Sequence, residues 1–182
     1  MHSARHNTRL LRHACTQIVV YSLVNGTATV SKLGMCDPKG DYKIKFEAKL
    51  KNDGDKQIVE EASLTTDIDI GDNVKNNVEV AKFDSAANDY KFLTKIEVTY
   101  CEFMEKFMGE FSDAMMEAGG LKKGTCPIPK GAYKLTNHHL DFSLVKGKDE
   151  VPDGKFRVKN NLVDAKTNAP LGCMEIDFTL EK

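Results

Sequence analysis

From residue 41 onward the chain alternates apolar and polar side chains with a period of two. Tyr42, Ile44, Phe46, Ala48 and Leu50 share one face, and Lys43, Lys45, Glu47, Lys49 and Lys51 share the other, which predicts a half-buried strand with a solvated lysine face. After the turn Asn52-Asp53-Gly54-Asp55, a second strand over about 57–70 carries Ile58, Ala62, Leu64, Ile68 and Ile70 inward. A third sets Val74, Val78 and Val80 against Lys75, Asn77 and Glu79, and a fourth puts Tyr90, Phe92, Ile96, Val98 and Tyr100 on one face. Beyond Gly131, Tyr133 and Leu135 alternate, the phase breaks near Asn137-His138-His139, and Leu140, Phe142 and Leu144 continue; such a break marks a bulge or a change of sheet. Phe156, Val158, Asn160 and Leu162 alternate with Lys155, Arg157, Lys159 and Asn161, and Met174, Ile176, Phe178 and Leu180 form the last apolar face. The pattern predicts a mainly β protein: about eight antiparallel strands in a two-sheet cup or sandwich, with one inserted helix.

That helix interrupts the alternation between Cys101 and Gly131. Phe103, Met104, Phe107, Met108, Phe111, Ala114, Met115 and Ala118 follow helical spacing, while Glu102, Glu105, Lys106, Glu110, Asp113 and Glu117 fall opposite. Gly119-Gly120 ends it, and the prolines of Cys126-Pro-Ile-Pro-Lys-Gly131 bar both a helix and a regular ladder. The apolar face holds phenylalanine and methionine but neither leucine nor isoleucine. Methionine is flexible and recurs where varied apolar partners are accepted. Two readings stay open for this face: a core-packing surface, or a movable lid over an apolar cavity.

Residues 1–30 follow neither pattern. Arg5, Arg9 and Arg12 precede the apolar patch Ile18-Val19-Val20-Tyr21-Ser22-Leu23-Val24 and the small residues Gly26-Thr27-Ala28. This is the outline of an atypical signal peptide, with a disordered extension or a mis-chosen start codon as alternatives. The patch is too short to span a bilayer. The folded domain is expected over 31–182.

The length of 182 residues suits a single domain with a core, and a net charge of -1 gives no electrostatic case for nucleic acid. The cysteines, at 15, 36, 101, 126 and 173, include no Cys-x-x-Cys pair, which argues against zinc and redox motifs. If Cys15 leaves with a leader, the remaining four allow three pairings, among which the sequence does not choose; the expectation is Cys36 with Cys173 and Cys101 with Cys126. Widely spaced cysteines support secretion. No phosphate-binding glycine loop or nucleophile elbow occurs. His138 and His139 are adjacent, and neighbours on a strand face opposite ways, so the two do not readily share a metal. No catalytic residue, metal site or cofactor is expected.

The run Cys126-Pro-Ile-Pro-Lys-Gly-Ala-Tyr133 resembles the insect secreted chemosensory proteins of the CheA/CheB type, ganglioside-activator-like relatives of the ML lipid-recognition group. Cys101-Glu102-Phe103, Pro152-Asp-Gly-Lys-Phe-Arg157 and Gly172-Cys173-Met-Glu-Ile176 extend the likeness over about residues 36 to 180. Without Cys15, the chain departs from the ganglioside activator in keeping only half as many cysteines, and the family has no fixed ligand motif to carry over. The resemblance implies an antiparallel β-cup around an apolar cavity, with a helix-bearing loop at its mouth. It implies binding of a lipid or apolar small molecule without transforming it. With the helix face, it makes Phe103, Met104, Phe107, Met108, Phe111, Met115, Ile128, Tyr133 and Phe142 the expected ligand-facing set. Expected partners are such a ligand and a receptor. An accessory role, lifting glycolipids from membranes for a lipid hydrolase through transient membrane contact, is one alternative. A receptor-binding structural module with a filled core is another.

Overall fold

A computed structural model describes residues 27–53, 56–145 and 151–181. The arginines, the apolar patch and Cys15 of the expected leader lie outside the described residues. Eight strands form: β1 (Thr27–Met35), β2 (Ile44–Asp53), β3 (Lys56–Thr66), β4 (Val74–Asp84), β5 (Asp89–Thr99), β6 (Gly131–His139), β7 (Gly154–Asp164) and β8 (Pro170–Glu181). They make two antiparallel sheets, one of five strands in the order β1-β8-β7-β4-β5 and one of three in the order β2-β3-β6. β1 begins at Thr27, so the expected boundary at residue 30 falls inside a strand: Thr27 to Val30 pair with β8.

The direction in which the large sheet faces is fixed by the contacts of its residues. Val30 exchanges two hydrogen bonds with the Gln57 side chain, donating to Oε1 at 2.7 Å and accepting from Nε2 at 2.6 Å. The Phe46 N–H reaches Met35 Sδ at 3.2 Å. At Gly172 any Cβ would lie 2.9 Å from the Ile44 carbonyl oxygen, so only glycine lets β8 approach β2 this closely. Strand pairing places Val30, Met35 and Gly172 on one face with Val78, Val80, Val158, Asn160, Leu162, Met174, Ile176 and Phe178. That face looks toward the small sheet.

The opposite face of the large sheet is charged. Arg157 donates to both oxygens of Asp177, at 2.8 and 2.7 Å, and its guanidinium lies 4.2 Å from the centre of the Tyr90 ring. Glu175 accepts from Lys32 at 2.6 Å and lies 3.4 Å from Lys159. The lysine face of β2 is exposed, and β2 is an edge of the small sheet, where lysines discourage pairing with another chain.

The inserted helix is broken rather than continuous. α1 (Tyr100–Phe103) starts at Thr99, whose hydroxyl oxygen caps the Glu102 N–H, and runs into a π-helical turn over Met104–Met108. The turn closes with the Gly109 N–H donating to the Met104 carbonyl at 2.9 Å, and Gly109 then takes φ 54°, ψ -131°. α2 (Glu110–Ala118) follows. A wide turn and a glycine kink each advance the phase, so the buried residues of α2 are Phe111, Ser112 and Met116. The single helical period expected from 103 to 118 therefore gives way at residue 109. Phe142 to Leu144, expected as strand, form a 3-10 turn.

Two disulfides brace this frame. Cys36–Cys173 joins the segment after β1 to β8, and Cys101–Cys126 joins α1 to the loop before β6. Their separations of 137 and 25 residues correspond to about 5 and about 3.5 kcal/mol on the chain-entropy estimate.

Candidate functional site

The small sheet presents an apolar face, and the helical segment covers it. Val59, Ala62, Phe111 and Leu140 form one buried cluster, with Phe46, Ala48, Leu50, Met108, Met115, Leu135 and Phe142 packed against it. The Phe111 and Phe142 rings stack at 5.5 Å. A second cluster sits where the sheets converge: Ile44, Ile70, Val74, Tyr100, Met116, Ile128, Leu162 and Leu171, with Met104 and Tyr133 at its margin. Burial pushes the Tyr100 hydroxyl well above the ordinary tyrosine range, so it stays protonated.

The loop after α2 is held to this second cluster by backbone bonds. Ile70 and Ile128 exchange N–H···O bonds of 2.8 and 2.9 Å, the Lys130 N–H donates to Asp69 Oδ1 at 2.8 Å, and the Gly124 N–H donates to Asp113 Oδ1 at 2.9 Å. The Tyr133 hydroxyl donates to the Pro129 carbonyl at 2.6 Å. Two prolines leave this segment without a ladder of its own, and these contacts supply its order.

The nine expected ligand-facing residues thus divide into three groups. Met104, Ile128 and Tyr133 belong to the cluster at the convergence of the sheets. Met108, Phe111, Met115 and Phe142 lie on the small sheet. Phe103 and Phe107, their rings 5.5 Å apart, are half-buried and join neither cluster.

Sequence reasoning left the opposite wall out of this set. Val80, Val158, Met174 and Ile176 occupy the inward face of the large sheet, yet all are half-buried and none belongs to either cluster. Ile96 and Val98 of β5 continue this wall beside β4. Apolar side chains that face the opposing sheet but keep some accessible surface border space that protein atoms do not fill. Their alternation was visible in the sequence; what was missing was that they stay half-buried and outside both packed clusters.

Two further residues on this wall are polar. Asn76 is fully buried on β4 and accepts from Asn160 Nδ2 of β7 at 2.8 Å. Each stands in phase with apolar neighbours, Asn76 between Val74 and Val78 and Asn160 between Val158 and Leu162. An asparagine in step with an apolar face was the available signal.

The expected fourth-strand face is also corrected. Pairing skips Leu93 between Val80–Thr94 and Ala81–Phe92. This bulge turns Phe92 to the outer side with Tyr90, while Ile96 and Val98 stay inward. Phe92 and Leu93 are 65% and 51% exposed on the edge strand β5. His138 is half-buried and His139 exposed. Among the described residues no three His, Cys, Asp or Glu side chains gather as a metal site.

Residues 77–158, which cover most of β4, the helical segment and the first part of β7, match the family described as "Protein of unknown function (DUF1091)". No curated protein matches the chain. Among solved structures the chain is similar to chicken MD-1 complexed with lipid IVa, at 15% identity over 87% of this chain and 99% of that one. The TM-score of 0.35 is too low for that likeness to carry an argument, and the family match spans less than half of the chain.

Proposed function

We propose that the protein is a secreted, non-enzymatic carrier that holds a lipid or another apolar small molecule between its sheets. Presentation of a chemosensory ligand to a receptor is the role that the sequence resemblance favours. The observation that supports binding is the half-buried apolar wall of the large sheet, facing a small sheet whose own apolar face is taken up by the helical segment. Such a site gains affinity from area alone, about 0.8 kcal/mol per methylene buried, so it needs no catalytic constellation. Phe103, Met104, Phe107, Met108 and Met115 form the adaptable side of the site, Phe111 supports them from the buried cluster, and Ile128, Tyr133 and Phe142 flank it. Two disulfides suit an oxidising compartment. Among the described residues no helix is long and apolar enough to cross a membrane.

Extraction of a glycolipid for a hydrolase is a second reading, favoured by the exposure of Phe92 and Leu93 side by side on an edge strand. Native mass spectrometry of protein purified from its own source, with lipid extraction, tests the carrier reading. A bound apolar small molecule is expected; protein that is empty and stays empty across a broad lipid panel overturns it. Vesicle extraction by a Phe92→Ser, Leu93→Ser variant then separates the two roles, because only the second requires the exposed pair.

A further inference from the structure

Over β4 from Val74 to Val80 and β7 from Val158 to Leu162, the inward wall of the large sheet is apolar except at Asn76 and Asn160; Lys82, whose ammonium lies over the Phe156 ring, and Thr94, opposite Val80, stand on the same face farther along. Asn76 has no exposed surface, and its neighbours on the same face are Val74 and Val78 along β4, Leu162 on β7 and Val98 on β5. Asn160 lies opposite Val78 on one side and Met174 on the other. The two amides make one hydrogen bond to each other, Asn160 Nδ2 to Asn76 Oδ1 at 2.8 Å. That leaves Asn76 Nδ2, a donor, and Asn160 Oδ1, an acceptor, buried and unpartnered among the described residues. Turning both amides over exchanges which residue offers which, but still leaves one donor and one acceptor.

Leaving such groups unmet is costly, at about 1–3 kcal/mol for each. Valine or leucine at both positions would fit a strand facing an apolar interior and remove that cost. The pair therefore stands out as the one place on this wall where the interior asks for a polar partner. Both unpartnered atoms are themselves closed off, so a ligand group reaches them by parting the side chains beside them, Val158 and Met174, which are half-buried and border the unfilled space.

The geometry points to Asn76 and Asn160 as a polar anchor for the head of the apolar ligand, selecting a neutral group that both donates and accepts, a hydroxyl above all. The inference rests on the carrier reading and names the ligand class within it. A hydroxyl oxygen accepts from Asn76 Nδ2 while its proton goes to Asn160 Oδ1, so a single atom meets both demands. An ether oxygen accepts only and leaves Asn160 Oδ1 unmet. A carboxylate also only accepts, and it would bring a charge in among Val74, Val78, Val98, Leu162 and Met174, none of them cationic; Lys82 is on the same face but at its far end, over Phe156. An apolar chain ending in an alcohol is thus preferred over the matching fatty acid or methyl ether.

Displacement of an apolar fluorescent probe by tetradecan-1-ol, tetradecanoate and methyl tetradecyl ether at neutral pH tests this on the unaltered protein. The alcohol should bind about tenfold or more tighter than the ether and the carboxylate, since a site built around a hydroxyl penalises analogues that lack it. Equal affinity for all three overturns the anchor and leaves the carrier reading standing. Failure of the probe and of all three compounds to bind overturns both. In the Asn76→Val, Asn160→Val variant the chain-dependent affinity should persist while the preference for alcohol disappears; a preserved preference overturns the anchor. Should that variant misfold, Asn160→Ser, which keeps a hydroxyl beside Asn76, supplies the same comparison with a weakened preference expected.

Discussion

Phe111 and Phe107 lie four residues apart in the helical segment and have different surroundings. Phe111 is buried, stacked on Phe142 and enclosed by the small sheet. Phe107 is half-buried and touches Phe103 outside both clusters. Phe111→Ala should therefore cost about 3–5 kcal/mol of stability. Phe107→Ala should cost clearly less in ligand-free protein and weaken apolar-probe binding instead. Denaturant unfolding with probe titration of both variants measures the contrast, and equal large destabilisation with unchanged binding would place Phe107 in a filled core. On the outer face, Glu175 is almost enclosed, with a side chain 7% exposed. Burial alone would raise its carboxyl, but the Lys32 hydrogen bond and the charges of Lys32, Arg157 and Lys159 outweigh it and hold the group below its ordinary value of 4.5. A depressed folded-state value means that the unfolded chain takes up the proton first. This stabilisation is fully present above the ordinary glutamate value and is lost as pH falls through the folded one. Stability should decline on acidification below about pH 5, and Glu175→Gln should flatten that part of the curve while costing about 1.5–3 kcal/mol at neutral pH. An acid limb of the same depth in the variant would assign the effect to other carboxylates.

Among the elements, the helical segment depends most on a single residue. Gly109 links the π-helical turn to α2 with φ 54° and ψ -131°, a combination that residues with a Cβ rarely adopt. Gly109→Ala should destabilise by about 1–3 kcal/mol, seen in thermal unfolding, although alanine is the better helix former; a stabilised variant would contradict the kink. The same region shows how far the sequence could be read. The helix and its glycine end were legible from spacing, but of the face read there only Phe111 is buried in α2, where Ser112 and Met116 join it. The break was not legible, because residues on either side of Gly109 fit one continuous 3.6 period equally well. The strands were legible wherever alternation ran unbroken, as in β2 and β7, and misread where pairing slips by one. At Ser31 the slip sends Val30 and Leu33 to the same face, so β1 did not look like a strand. At Glu60 it turns Val59 inward in place of the expected Ile58. At Leu93 it turns Phe92 outward. A bulge is set by the partner strand, which no local pattern displays.

At the scale of the whole molecule, β1 and β8 of the large sheet meet β2 and β3 of the small one closely, through Val30–Gln57, Met35–Phe46 and Gly172–Ile44. The helical segment fills the small sheet's side, while the facing wall of the large sheet keeps accessible apolar surface. An inserted helical segment rich in Phe and Met was legible in the sequence. The wall was not, because alternation tells which side chains point inward but not whether anything meets them there. The proposed carrier role needs room for an apolar ligand beside this wall, and Val158 lies within it between Val80 and Ile176. The most direct measurement is of Val158→Phe, by denaturant unfolding and by titration with an apolar fluorescent probe. Unfolding stability is expected to stay within about 0.5 kcal/mol of the unaltered protein, with probe affinity reduced by about tenfold or more as the added ring occupies the site. A loss of about 1–3 kcal/mol, the mark of overpacking a filled core, with probe binding by the folded protein unchanged, would contradict that role.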